Sequence, residues 1–83
     1  MNKILKFTKR GNSNINGYTI EIINMSHITN ICLENNTISI YVDESPTIPS
    51  GYCFESERMA KKEFDRIEKF LLDDTAMLEV QYD

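Results

Sequence analysis

His27, Cys32 and Cys53 are the side chains best equipped for chemistry in this chain of 83 residues. A cysteine with a histidine base can act as a nucleophile, and the same three groups are ligands for zinc. Their spacing supports neither use, because Cys32 and Cys53 lie too far apart in sequence for a familiar zinc spacing and nothing in the sequence requires a cysteine–histidine pair with an oxyanion hole. The adjacent carboxylates Asp43-Glu44 and Asp73-Asp74 could share acid and base roles, but neighbouring acids of this kind usually end structural elements in water. Gly11, Gly17 and Gly51 lie in separate turns, so no glycine-rich loop is available to cradle a phosphate. The expectation is a protein that is not an enzyme and that holds no metal and no cofactor.

Binding chemistry is better represented. Lys6, Lys9 and Arg10, with Phe7 between them, could meet phosphates and stack a base. The same lysines would also protect an edge strand against unwanted pairing. In Pro46-Thr47-Ile48-Pro49, two prolines stiffen a connection around one aliphatic side chain, which makes Ile48 a candidate contact residue that loses little entropy on binding. These four residues, Lys6, Lys9, Arg10 and Ile48, are the candidate binding positions.

The net charge of −4 is unevenly distributed. Residues 1–10 hold Lys3, Lys6, Lys9 and Arg10 and no acid, whereas residues 11–56 hold five acids and no Lys or Arg. The net negative charge argues against a purely electrostatic binder of nucleic acid or membrane, and the split sets a basic first strand before an acidic middle. No run approaches the ~20 apolar residues that span a bilayer, and Lys6, Lys9 and Arg10 interrupt anything like the apolar region of a signal peptide. A cytoplasmic location without membrane contact, with reduced cysteines, is expected.

Residues 3–9 read as a first strand, and Asn16-Gly17 as a turn. From Tyr18, the residues Tyr18, Ile20 and Ile22 alternate with Thr19, Glu21 and Ile23 in the two-residue period of a half-buried strand. Ile31 and Leu33, then Ile38, Ile40 and Val42, mark two strands joined by a tight Asn35-Asn36 turn. The prolines place a stiff loop over 44–51, followed by a short strand at 52–55. Ser56 is a candidate N-cap for a helix whose apolar stripe is Ala60, Phe64, Ile67 and Leu71, widened by Met59 and Phe70. Glu57 and Lys61, and Asp65 and Lys69, are spaced for ion pairs on its solvated side. Asp73 and Asp74 oppose the negative end of that helix and stop it near Leu72, and residues 76–82 alternate as a last strand.

The expected fold is α+β: one domain spanning 1–83, with a single antiparallel sheet of about five or six short strands and one amphipathic C-terminal helix packed on one face. Such a small core leaves little room for buried chemistry. The expected function is therefore a small non-enzymatic binding or regulatory module that offers a sheet edge or the Pro46–Pro49 loop to another protein, including a second copy of itself as a homodimer. Two alternatives follow from charge. An acidic inhibitor of phage or mobile-element type would occupy a basic surface of a nucleic-acid-binding host protein, and a weak nucleic-acid binder would use the basic first strand.

Overall fold

The computed structural model of the chain describes residues 3–10 and 18–82. Its elements are β1 (Ile4–Arg10), β2 (Tyr18–Asn24), a 3-10 turn (Met25–His27), β3 (Ile28–Glu34), β4 (Thr37–Val42), β5 (Ser45–Cys53), α1 (Glu57–Leu72) and β6 (Met77–Tyr82). The α+β class is as expected, but the single antiparallel sheet is not. The strands form two three-stranded sheets, ordered β2-β1-β6 and β3-β4-β5, and β6 runs parallel to β1.

Two connections produce this division. Asn24 accepts the Ser26 backbone N–H through its side chain, and the 3-10 turn that follows carries the chain out of β2's sheet into β3. Later, α1 crosses from the end of β5 and returns the chain beside β1, where β6 must enter in the parallel sense. Leu5 and Phe7 of β1, Val80 of β6, Ile38 and Ile40 of β4, Tyr52 of β5 and the buried stripe of α1 meet in one core cluster. Ile23, Ile31, Leu33, Val42 and Leu78 pack against it.

The β3–β4 hairpin follows the sequence closely. Asn35 adopts a positive φ of 54°, which asparagine tolerates, and Glu34 pairs with Thr37 across the two-residue turn. Asn36 also anchors the segment after β5, donating from Nδ2 to the Phe54 carbonyl at 2.9 Å while its own carbonyl accepts from the Phe54 N–H at 2.8 Å.

β5 departs from expectation, because it begins at Ser45 rather than near Tyr52. Its register explains how two prolines enter a strand. Ser45 pairs with Val42 and Ser50 with Ile40, so residues 46–49 bulge out opposite Tyr41, and the missing proline donors lie on an edge.

Ser56 caps α1 by accepting the Met59 N–H at 3.2 Å. Ala60, Ile67 and Phe70 are buried, whereas Met59 and Leu71 lie at the exposed margins of the stripe. The ion pairs on its solvated face are Lys61 with Asp65 and Glu63 with Arg66, not the two expected from spacing.

Lys3 closes the other end of the helix. Its ammonium donates to the carbonyls of Phe70, Asp73 and Thr75 and lies 4.5 Å from the centroid of the Phe70 ring. A cation at this end satisfies carbonyls that the last turn leaves free and complements the helix dipole. Asp73 accepts the Thr75 N–H at 2.8 Å, and that bond, with help from the Thr75 and Lys3 side chains, lowers its carboxyl pKa. Its contribution is present above the unfolded carboxyl pKa and is lost as acid protonates the folded group. Replacing Lys3 by methionine keeps the stem and removes the donors. We expect Lys3→Met to lower stability by about 1–3 kcal/mol in urea denaturation, with the helix signal in circular dichroism retained below the transition; an unchanged midpoint would show that water caps the helix equally well.

Candidate interaction surface

The basic first strand does not gather its two candidate lysines on one face. Lys6 and Lys9 lie on opposite faces of β1 because the side-chain period of a strand is two. β1 is also the central strand of its sheet, paired with β2 and β6, so its lysines do not guard an edge. The side chain of Arg10 lies outside the described residues. Ile48 is well exposed, at 73%, on the excursion of β5.

The residues singled out for chemistry remain apart. His27 Nδ1 is 3.3 Å from Asp43 Oδ2, with both side chains in solvent. Cys32 pairs with Ser39 and Cys53 with Thr37, which puts both thiols on the outer face of their sheet with β4 between them. Two strand spacings amount to roughly 9.6 Å, beyond disulfide reach. Among the described residues, no group of three His, Cys, Asp or Glu side chains could hold a metal. No described helix is long and apolar enough to cross a membrane.

Two grooves flank α1. One, of about 600 Å³, lies between the helix and β6 and is lined by Phe54, Met59, Lys62, Arg66 and Tyr82 among others. Arg66 there is engaged with Glu63 and with the Glu79 carbonyl. The other, of about 400 Å³, lies against β3 and is largely apolar, with Met25, Ile28, Phe64 and Ile67 in its lining. Neither joins a nucleophile to a base.

The feature that sequence patterning left undetermined is β2. Ile4 N–H donates to the Ala76 carbonyl at 2.9 Å, so the backbone groups of Ile4, Lys6 and Thr8 point toward β6. Those of Lys3, Leu5 and Phe7 then point toward β2, as the Met25 N–H to Lys3 carbonyl bond at 2.8 Å requires. Leu5 pairs with Ile23 and Phe7 with Glu21, which leaves the N–H and C=O of Ile20 and Ile22 aimed away from β1, at the rim of the sheet. The side chains of the same two isoleucines stand on the face opposite the core, 58% and 62% exposed. Backbone and apolar side chains are thus offered together.

Each of the other rims is blunted. Pro46, Pro49 and the bulge break β5. Along β6, Arg66 Nη2 donates to the Glu79 carbonyl at 3.3 Å. β3 is bulged at Thr29, whose hydroxyl donates to the Tyr41 carbonyl, and α1 borders it across the apolar groove. These are familiar ways of suppressing strand addition.

Opposite the exposed isoleucines, β2 turns Glu21 and Ile23 inward. The Tyr52 hydroxyl donates to the Glu21 carboxylate across the gap between the sheets. Tyr52 stacks on Phe7 with centroids 3.8 Å apart, and Tyr82 meets both rings edge-on. Burial, followed by the hydrogen bond to Glu21 and its charge, drives the Tyr52 phenol pKa far above its ordinary value. Tyr82 is raised too, by burial and then by the Glu21 charge.

Compared with protein-family models, curated proteins and solved structures, the chain matches none.

The phenol shift fixes a pH response. A folded pKa above the unfolded one contributes stability that is complete below the unfolded value, near ~10, and is lost as pH rises beyond it. Urea midpoints are expected to hold up to about pH 10 and then fall, with Tyr52 contributing a slope of up to about 1.4 kcal/mol per pH unit. Tyr52→Phe should lose about 1 kcal/mol at neutral pH and show a shallower alkaline slope. An alkaline slope identical to that of the wild type would refute this assignment.

Proposed function

We propose that the protein is a non-catalytic interaction module that receives an extended segment of a partner protein on the open rim of β2. The observation that carries this reading is the coincidence, at Ile20 and Ile22, of exposed aliphatic side chains with backbone groups that no described strand pairs. In strand addition, main-chain hydrogen bonds supply affinity and alternate side chains supply selectivity. Both components are available here. The outward position of Ile48 is compatible with a second contact, although it lies in the other sheet and on a rim broken by proline. The two charge-based alternatives have less support. Lys6 and Lys9 diverge across the sheet, and the five acids of residues 11–56 are thinly spread along the chain.

Proline substitution separates binding from folding. The Ile22 N–H points outward, so Ile22→Pro removes a donor from the rim and spares the β1–β2 ladder. Glu21→Pro removes a donor from the ladder itself. Binding is measured by calorimetry with synthetic peptides of alternating valine and threonine, and folding by circular dichroism and urea. Ile22→Pro is expected to weaken peptide binding roughly five- to tenfold with little change in the urea midpoint, and Glu21→Pro to lose the fold. Unaltered affinity in a folded Ile22→Pro variant would exclude β2 as the receiving strand.

A further inference from the structure

We infer that the segment received by β2 carries a basic residue between two apolar ones, in the order apolar, lysine or arginine, apolar. The inference rests on β2 being the receiving rim and adds the chemistry of what it receives.

A strand laid antiparallel on β2 places its side chains beside those of β2, face by face. Opposite Ile20 and Ile22, on the outer face, it meets two exposed aliphatic groups that favour β-branched or aliphatic partners. Between them, on the inner face, it meets Glu21. This carboxylate is in an exposed residue, accepts the Tyr52 hydroxyl, and has no ion pair with any described residue. Its direct neighbour on β1 is Phe7, which offers no charge, and Lys9, next along that face of β1, makes no ion pair with it. An incoming cation therefore adds an ion pair without displacing one, and an incoming acid adds repulsion at the same point.

The same pattern argues against a second copy as the occupant. β2 contains no lysine or arginine. A two-fold pairing that sets Ile20 against Ile22 also sets Glu21 against Glu21, where like charges directly opposite are destabilising. Among the described strands, the pattern occurs at Leu5-Lys6-Phe7, but that segment is the centre of a sheet with both rims used. In that register the charge favours a strand of a different protein over a second copy.

Three capped peptides with identical flanks and the cores Val-Lys-Val, Val-Gln-Val and Val-Glu-Val test this by calorimetry against the wild type, Glu21→Gln and Ile22→Pro. Glutamine keeps an oxygen that can accept from Tyr52, and the urea midpoint checks that the variant is folded. The lysine peptide is expected to bind the wild type roughly two- to fivefold tighter than the glutamine peptide, with the glutamate peptide weakest. The preference should shrink in high salt and disappear in Glu21→Gln. Equal binding of the three peptides, all weakened by Ile22→Pro, would overturn the charge inference while leaving the rim assignment in place. Failure of every peptide to bind would overturn both. A lysine preference that survives in Glu21→Gln, or a stable dimer in sedimentation equilibrium, would overturn the assignment to Glu21 and a foreign strand.

Discussion

The ring of Tyr52 lies nearly parallel to that of Phe7, and this contact joins two three-stranded sheets into one domain. A sheet of three strands lies at the lower limit of independent stability and gains by covering its apolar face with another layer. Placing tyrosine at the junction brings a hydroxyl into the gap, and a buried hydroxyl without a partner is costly. Glu21 supplies the acceptor. That requirement determines which way β2 faces, because a strand that turns Glu21 inward turns Ile20 and Ile22 outward. A one-residue slip would bury the isoleucines, expose Ile23 and remove the tyrosine's partner. The outward apolar column is thus a consequence of how the core is joined.

Local elements were readable where the pattern is local. The Asn35-Asn36 hairpin, the Ser56 cap, the end of α1 at Leu72 and the alternation of β6 all depend on residues within one or two turns of each other. The division into two sheets depends on long-range pairing. Nothing in residues 77–82 says whether they lie against β1 or β5, or in which direction, until the length of α1 and the core it crosses are taken together. The β5 prolines misled for a related reason. Proline excludes a central strand, and from sequence an interrupted rim looks the same as a loop.

The candidate site was less legible than the fold. Of the basic cluster at the start of the chain, the three lysines separate in space. Lys3 folds back onto the end of a helix some seventy residues away, and Lys6 and Lys9 part across the sheet. Charge counted along a strand overstates charge gathered on a surface. The relevant signal in β2 was present as a run, Tyr18–Asn24, with β-branched residues and no basic guard. Alternation alone could not say which of its two faces was the core, since Ile23 stands among the inward residues and Ile20 and Ile22 among the outward ones. Only the partner of Tyr52 resolves that choice.

The size of the rim also constrains the kind of association it supports. A strand of about five residues on β2 buries well below the ~800 Å² per partner of a stable interface. Part of the hydrogen-bond gain is offset by ordering an extended peptide. Such contacts belong to the weak, reversible class, in which selectivity comes from a few side chains. Here those are two isoleucines on one face and a carboxylate on the other. The proline-broken rim of β5 and the Arg66-engaged rim of β6 show that the fold can blunt an edge with one or two residues, so the openness of β2 does not follow from the architecture alone. Glu21 limits what that rim would accept, since its charge lies beside a strand that approaches and repels a second copy that approaches in the same register.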